Sequence, residues 1–116
     1  MDNKSKSYKI LGRLWIKGEK GTFLGHGRII LLEKIDEYGS ISEAARALDM
    51  SYKHAWDLIK FMNNEAKLPV VETTKGGKGG GGAKVTEYGK KCISYYWKLQ
   101  ERFEEFLRRE TDIFNE

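Results

Sequence analysis

Two short amphipathic segments joined by a sharp turn limit the possible folds of this chain more than any other feature of its sequence. The first segment, EAARAL, follows Ser42, whose side chain is predicted to cap a helix. Asp49 lies in the turn, and aspartate tolerates a left-handed backbone better than most residues. The second segment, YKHAWDLIKFMNNEA, follows Ser51, a second predicted cap. Two helices joined in this way form a helix-turn-helix unit.

The second helix of this unit has an apolar face and a polar face when its residues are placed about 100° apart on a wheel. The residues predicted to face the core are Ala55, Leu58, Ile59 and Met62. The residues predicted to face solvent are Lys53, Asp57, Lys60 and Asn64. Asp57 is spaced to pair with Lys53 or with Lys60 on the same face.

A glycine-rich run, TTKGGKGGGGAK, lies between the β-prone pieces VVETT and AKVT, and it is predicted to be the tip of a hairpin. The run contains a formal G-x-G-x-x-G match. In a dinucleotide-binding fold those glycines open a helix, whereas here a strand follows. A hairpin after a helix-turn-helix is a wing, with Lys75, Lys78 and Lys84 on it or at its base. Glycine would let its backbone lie close to a duplex.

The chain before this unit predicts a small hairpin and one more helix. Leu14 to Ile16 and Thr22 to Leu24 are short apolar pieces around a glycine-containing turn. Arg28 to Tyr38 has apolar residues at helical spacing, and Gly39 follows as a stop.

The C-terminal part predicts a helix of about twenty residues with a heptad-like apolar stripe. The stripe consists of Tyr88, Cys92, Tyr95, Leu99, Phe103 and Phe106. Such a stripe is covered either by its own domain or by a second copy of the chain. Because the compact part is small and the helix projects past the wing, we expect a homodimer. The predicted dimer contacts are Tyr95, Leu99, Phe103 and Phe106.

The length predicts one domain, and the predicted hairpins and helices make it α+β, mostly α. Residues 1–91 would form the winged helix-turn-helix, and residues 92–116 the C-terminal part of the dimerisation helix. The single cysteine, Cys92, and two histidines have no metal-ligand spacing, and no nucleophile is paired with a base. We therefore predict no metal, no cofactor and no enzymatic activity. The sequence shows neither a signal peptide nor an apolar run long enough for a membrane span, so a cytoplasmic location is expected.

Positive charge is concentrated in two parts of the chain, whose formal net charge is +4. Residues 1–28 contain seven basic and two acidic side chains, and residues 51–91 contain eight basic and four acidic side chains. An anionic partner is expected to meet the protein there.

Two stretches, GSISEAARALDMSYKHAWDLIKFMN and TTKGGKGGGGAKVTEYGKK, resemble the N-terminal DNA-binding domain of ModE-type molybdate-responsive transcription regulators, a LysR-like winged helix-turn-helix. The resemblance covers about Gly39 to Lys91. It implies double-stranded DNA binding as a homodimer, with the helix from Ser51 to Glu65 in the major groove and the wing near the backbone. Family members sense molybdate through C-terminal oxyanion-binding domains, for which these 116 residues have no room. Molybdate binding is therefore not expected in this chain.

The sequence thus predicts a set of DNA contacts. The predicted phosphate contacts are Lys53, Lys60, Lys75, Lys78 and Lys84. The predicted base-reading residues, at the first turns of the helix, are Ser51, Tyr52, Lys53 and His54. Alternatively, Tyr52 and Trp56 pack within the fold. The alternative for His54 is a surface residue that is solvated or contacts phosphate.

A different function, protein binding through the winged fold, stays open at this point because a fold does not determine a function. Phe61 favours it, since this side chain projects away from the core face of the wheel. The lysines on the helix and on the wing favour DNA.

Overall fold

The computed structural model describes residues 5–74 and 82–116. It contains four helices and two two-stranded antiparallel sheets in the described residues. In chain order the elements are β1 (Ile16–Lys17), β2 (Thr22–Leu24), α1 (His26–Tyr38), α2 (Ile41–Ala47), α3 (Tyr52–Glu65), β3 (Val71–Thr73), β4 (Ala83–Val85) and α4 (Glu87–Phe114). The predicted fold class and the predicted order of hairpin, helices and wing are confirmed.

The turn between α2 and α3 forms as the sequence predicts. Asp49 has a φ of 54°, in the left-handed region. The Ser51 hydroxyl oxygen accepts a hydrogen bond from the backbone N–H of His54 at 3.0 Å and so caps α3. Both features are local, and each follows from a single residue type at a fixed position.

The predicted cap of α2 was wrong. Ser40, not Ser42, accepts a hydrogen bond from the backbone N–H of Glu43, at 3.1 Å, and the helix begins at Ile41. Ile41 is buried, so its packing into the core holds the first turn of α2 two residues earlier than the polar pattern indicates. Ser40 and Glu43 also have the spacing of a capping box.

One hydrophobic core joins α1, the helix-turn-helix and the wing base. Its members are Leu24, Ile29, Leu31, Leu32, Ile35, Ile41, Ala44, Ala45, Ala55, Ile59, Met62, Val70, Val71, Ala83, Val85 and Tyr96. The inward face predicted for α3 is confirmed, with Leu58 half-buried and the other three residues buried.

The two strands of the wing base pair with each other, and β4 is also bonded to the end of α1. Val71 pairs with Val85 and Thr73 with Ala83 in antiparallel register. The backbone N–H of Ala83 donates to the carbonyl oxygen of Gly39 at 3.0 Å, which attaches β4 to the end of α1. Gly39 has a φ of 66°, the helix-ending conformation that the sequence predicts there.

The C-terminal helix α4 has 28 residues and is longer than the twenty or so predicted. Thr86 caps it by accepting from the N–H of Gly89 at 2.9 Å, while its own hydroxyl donates to the Pro69 carbonyl at 2.6 Å. Tyr96, only 1 % exposed, fixes the helix to the core. Within residues 5–74 and 82–116, no helix combines the length and the apolar character that a bilayer span requires.

The residues before the first hairpin form an extended strap along the outer half of α4. We call residues 7–14 the N-terminal strap. The backbone N–H of Tyr8 donates to Asn115 Oδ1 at 2.9 Å, and Asn115 Nδ2 donates back to the Tyr8 carbonyl at 2.8 Å. The N–H of Ile10 donates to Thr111 Oγ1 at 3.0 Å. The strap therefore runs antiparallel to α4 and covers part of a helix that would otherwise be exposed all round.

Candidate nucleic-acid interface

The polar face of α3 is open to solvent. Lys53, Asp57, Lys60 and Asn64 are all exposed, as the wheel predicts. At the start of the helix His54 is exposed and Tyr52 is 55 % exposed, so neither packs into the core. Ser51 has a structural duty as the cap, and any base contact that it makes would use the same hydroxyl group.

Trp56 takes the packing alternative. It is half-buried and packs against the core, so its ring is a support for α3 rather than part of the open face. The helical wheel places Trp56 and Tyr52 on the same flank of α3, so the contrast between them comes from tertiary packing one turn further along the helix and not from helical position.

Lys53 and Asp57 form an ion pair across one turn of α3. Lys53 Nζ lies 2.8 Å from Asp57 Oδ2, at the i, i+4 spacing that the sequence predicts. Their hydrogen bond is the main reason that the pKa of Lys53 is raised and that of Asp57 is lowered, so the pair stays charged. The Lys53 side chain is 84 % exposed. Exposed pairs of this kind are weak, so the ammonium group is free to exchange the carboxylate for a phosphate.

The base of the wing lies against one flank of α3, where Asn63 anchors it. Its Oδ1 accepts a hydrogen bond from the backbone N–H of Val70 at 2.8 Å. Lys84 is exposed on β4, opposite Glu72 in the antiparallel register. The other two predicted wing contacts, Lys75 and Lys78, lie outside the described residues.

The N-terminal hairpin lies against the other flank of α3. Phe61 packs on Gly21 so closely that a Cβ atom at Gly21 would lie 2.9 Å from Phe61 Cζ. The backbone N–H of Lys20 donates to Glu65 Oε1 at 2.8 Å. Phe61, the residue that favours a protein-binding groove, is thus half-buried by the hairpin of its own chain. The sequence pattern did not indicate this contact, because 40 residues separate the two sides.

The predicted dimer contacts fall into two groups. Tyr95 and Phe106 are 53 % and 49 % exposed, and Leu99 between them is half-buried. Phe103 lies beneath the strap, where a Cβ atom at Gly12 would come within 2.9 Å of its Cζ. The first three residues remain available to a second copy of the chain, and Phe103 already has an intramolecular partner.

The described residues contain no group of three histidine, cysteine, aspartate or glutamate side chains that could hold a metal ion. Cys92 is half-buried, and burial raises the pKa of its thiol above the usual value. A raised pKa keeps this group in its unreactive thiol form.

Residues 27–90, more than half of the chain, match the sequence model of the family described as "Bacterial regulatory helix-turn-helix protein, lysR family". The chain belongs to this family. The matched range begins in α1 and ends in α4, so this LysR-type domain comprises the helix-turn-helix and the wing.

Relatives of this LysR-type domain include several ModE proteins. The molybdenum transport protein ModE of Azotobacter vinelandii is 40 % identical over 108 residues, which are 93 % of this chain and 40 % of that protein. The transcriptional regulator ModE of Yersinia pestis is 45 % identical over 83 residues, 72 % of this chain and 32 % of that protein. The chain therefore spans two fifths or less of these relatives. The resemblance to a ModE-like winged helix-turn-helix DNA-binding domain is confirmed.

Among solved structures, the chain is similar to the one titled "Crystal Structure of BenM_DBD/catB site 1 DNA Complex". The TM-score is 0.53 at 18 % identity, and the match covers 78 % of this chain and 94 % of that one. At this identity the similarity shows the shared winged-helix fold.

Proposed function

We propose that this protein is a sequence-specific transcription regulator that binds double-stranded DNA with α3 in the major groove. The observation that supports this best is the open polar face of α3, which carries Lys53 and Lys60 and is bordered by the wing on one flank. An α-helix fits the major groove, and its N-terminal residues reach base edges. The names of the relatives agree, since they include the "DNA-binding transcriptional dual regulator ModE" of Escherichia coli K12.

Two sets of residues carry the proposed contacts. Phosphate contacts come from Lys53, Lys60, Lys75, Lys78 and Lys84, which supply affinity through counterion release. Base contacts come from Ser51, Tyr52, Lys53 and His54. Tyr52 is the strongest candidate of these, because a large exposed side chain at the start of α3 has no role in the core.

The DNA-bound form is proposed to be a homodimer that associates through α4. The strap covers Phe103. The remaining residues of the predicted dimer contact lie on one side of α4, and they are Tyr95, Leu99 and Phe106. Two-fold symmetry then requires half-sites about 34 Å apart, or a multiple of this distance. In this proposal residues 1–91 form the DNA-binding domain, and residues 92–116 the outer part of the dimerisation helix.

The proposal places the protein in the cytoplasm, because that compartment holds the DNA of a bacterium, and it includes no catalytic activity. The proposed DNA contacts involve no cofactor. Added molybdate is expected to leave DNA affinity unchanged in this chain.

The test is selection of bound duplexes from random DNA, followed by titration of the best site at several salt concentrations. A palindromic motif is expected, together with an affinity that falls steeply as salt rises. Lys53→Gln/Lys60→Gln should weaken binding strongly, whereas Lys6→Gln/Lys9→Gln removes the same charge from the chain start and strap and should leave it nearly unchanged. No selected motif together with salt-independent affinity would contradict the proposal and favour a protein partner.

A further inference from the structure

We infer that the N-terminal hairpin is a second DNA-backbone contact, placed on the flank of α3 opposite the wing and acting through Lys17 and Lys20. This inference rests on the proposed function and extends it to residues outside the matched family range, which begins at residue 27. It gives a role to part of the positive charge in residues 1–28.

The positions of the anchoring side chains on α3 establish the two flanks. On a wheel of about 100° per residue, Phe61 and Asn63 are about 160° apart, and Lys60 and Asn64 fall between them. Asn63 binds the wing strand, and Phe61 packs on the hairpin. The open face of α3 is therefore bordered by the wing on one side and by the hairpin on the other.

The hairpin is held in place by polar as well as apolar contacts. Glu65 Oε1 accepts the N–H of Lys20, and Gly18 lies so close to the same carboxylate that an added Cβ atom would force the Glu65 side chain to shift. The N–H of Gly18 donates to the carbonyl oxygen of Gly21 at 2.7 Å, which closes the turn. The backbone of the tip is thus fixed relative to α3 while its lysine side chains remain outside the contact.

The charges on the tip suit a phosphate backbone. Lys17 and Lys20 are exposed, and among residues 5–74 and 82–116 neither ammonium group forms an ion pair within 4.0 Å. Two carboxylates lie near these lysines. Glu19 lies between them in the sequence, and Glu65 accepts a hydrogen bond from the backbone N–H of Lys20. Their proximity to a helix in the major groove would direct both lysines to the phosphates on one side of that groove, with the wing near the other.

The experiment compares Lys17→Gln/Lys20→Gln with the control Lys6→Gln/Lys9→Gln in the full chain. Both variants remove two positive charges from exposed side chains, and the hydrogen bond of Lys20 uses its backbone, so folding should be preserved. Loss of two phosphate contacts in each half-site should reduce the slope of log affinity against log salt by about 1.8 per protomer, or about 3.6 for the dimer, and the affinity by about tenfold or more at 0.1 M salt. The loss should be equal for the selected site and for an unrelated duplex, because phosphate contacts do not read sequence.

Ethylation interference provides a second readout. The hairpin variant should lose interfering phosphates at one edge of each half-site, and Lys84→Gln should lose them at the other edge. If the wild type binds and loses affinity with Lys53→Gln/Lys60→Gln, but the hairpin variant matches its control in slope and affinity, this inference is overturned and the proposed function stands. If the wild type does not bind duplex DNA, both are overturned.

Discussion

Asn63 of α3 and Val71 of β3 are joined by a pair of hydrogen bonds. The side-chain Nδ2 of Asn63 donates to the Val71 carbonyl at 3.0 Å, and its Oδ1 accepts the Val71 N–H at 3.3 Å. One side chain therefore satisfies both polar groups of this residue in the wing strand. These bonds hold the start of β3 against α3.

Replacing Asn63 with alanine is expected to destabilise the protein by about 1–3 kcal/mol, because partly buried backbone groups of the wing strand lose their partner. Urea unfolding gives the size of the effect. Asn64→Ala is the matched control, since Asn64 is exposed on the adjacent position, and it should change the free energy of unfolding by no more than about 0.5 kcal/mol. Equal effects of the two substitutions would show that the anchor contributes nothing.

Replacing Asp57 with asparagine is expected to strengthen DNA binding. The change frees Lys53 from its ion pair and removes a negative charge from the face proposed to meet phosphates. A gain of about three- to tenfold in affinity at 50 mM salt is expected, and it should shrink at higher salt through screening. Fluorescence anisotropy with the selected site measures it. Glu101→Gln, an equal charge change on α4, should have little effect, and unchanged binding by Asp57→Asn would contradict the placement of this face.

Replacing Gly89 with alanine is expected to destabilise the junction between wing and α4. A Cβ atom there would overlap the carbonyl oxygen of Val70 and press on Val85 Cγ1 at 2.8 Å. The cost should be about 1–3 kcal/mol, as for other overpacked sites. Gly27→Ala is the control, because no atom lies within 4 Å of the added Cβ and the first turn of α1 gains a better helix former. In thermal unfolding, the Tm should fall for Gly89→Ala and rise slightly for Gly27→Ala.

Replacing Phe106 with glutamate is expected to yield a folded monomer, because this exposed ring lies on the proposed dimer side of α4 and away from the core. Sedimentation velocity measures the mass, and circular dichroism checks the fold. Leu68→Glu, the same kind of change at another exposed apolar residue, should remain a dimer. A wild type that sediments as a monomer would refute the dimer proposal itself.

Phe103 is expected to behave differently from Phe106. Phe103→Ala removes a ring that packs beneath the strap, so it should lower the free energy of unfolding as well as any tendency to associate. Phe106→Ala should leave the free energy of unfolding of the monomer nearly unchanged. A purely associative effect of Phe103→Ala would show that the strap does not cover this residue in solution.

Local features of the fold could be predicted from the sequence. Ser51 and Asp49 act through their own backbone neighbourhood, and the β-prone pieces on either side of the glycine run pair as the antiparallel strands β3 and β4. The exposed face of α3 followed from helical periodicity alone. These predictions needed no knowledge of distant residues.

Features that depend on distant contacts could not be predicted in the same way. Phe61 was correctly placed off the core face, but the wheel cannot show that Gly21 covers it. The strap was missed because its hydrogen bonds to Thr111 and Asn115 join residues about a hundred positions apart and leave no periodic signal. For the same reason the heptad-like stripe did not separate Phe103 from Phe106.

The contacts of Thr86 and Gly89 with the wing base set the direction of the long helix α4. At a rise of about 1.5 Å per residue, the far end of this helix lies about 40 Å from the wing base, so a tilt of about 5° at the junction would move that end by about 3.5 Å. The tight seating of Gly89 against Val70 resists such a tilt. In a dimer joined through this helix, a small tilt at Gly89 would change the distance between the two DNA-binding domains. A rigid junction at Gly89 would therefore fix the spacing of the half-sites that the dimer can bind.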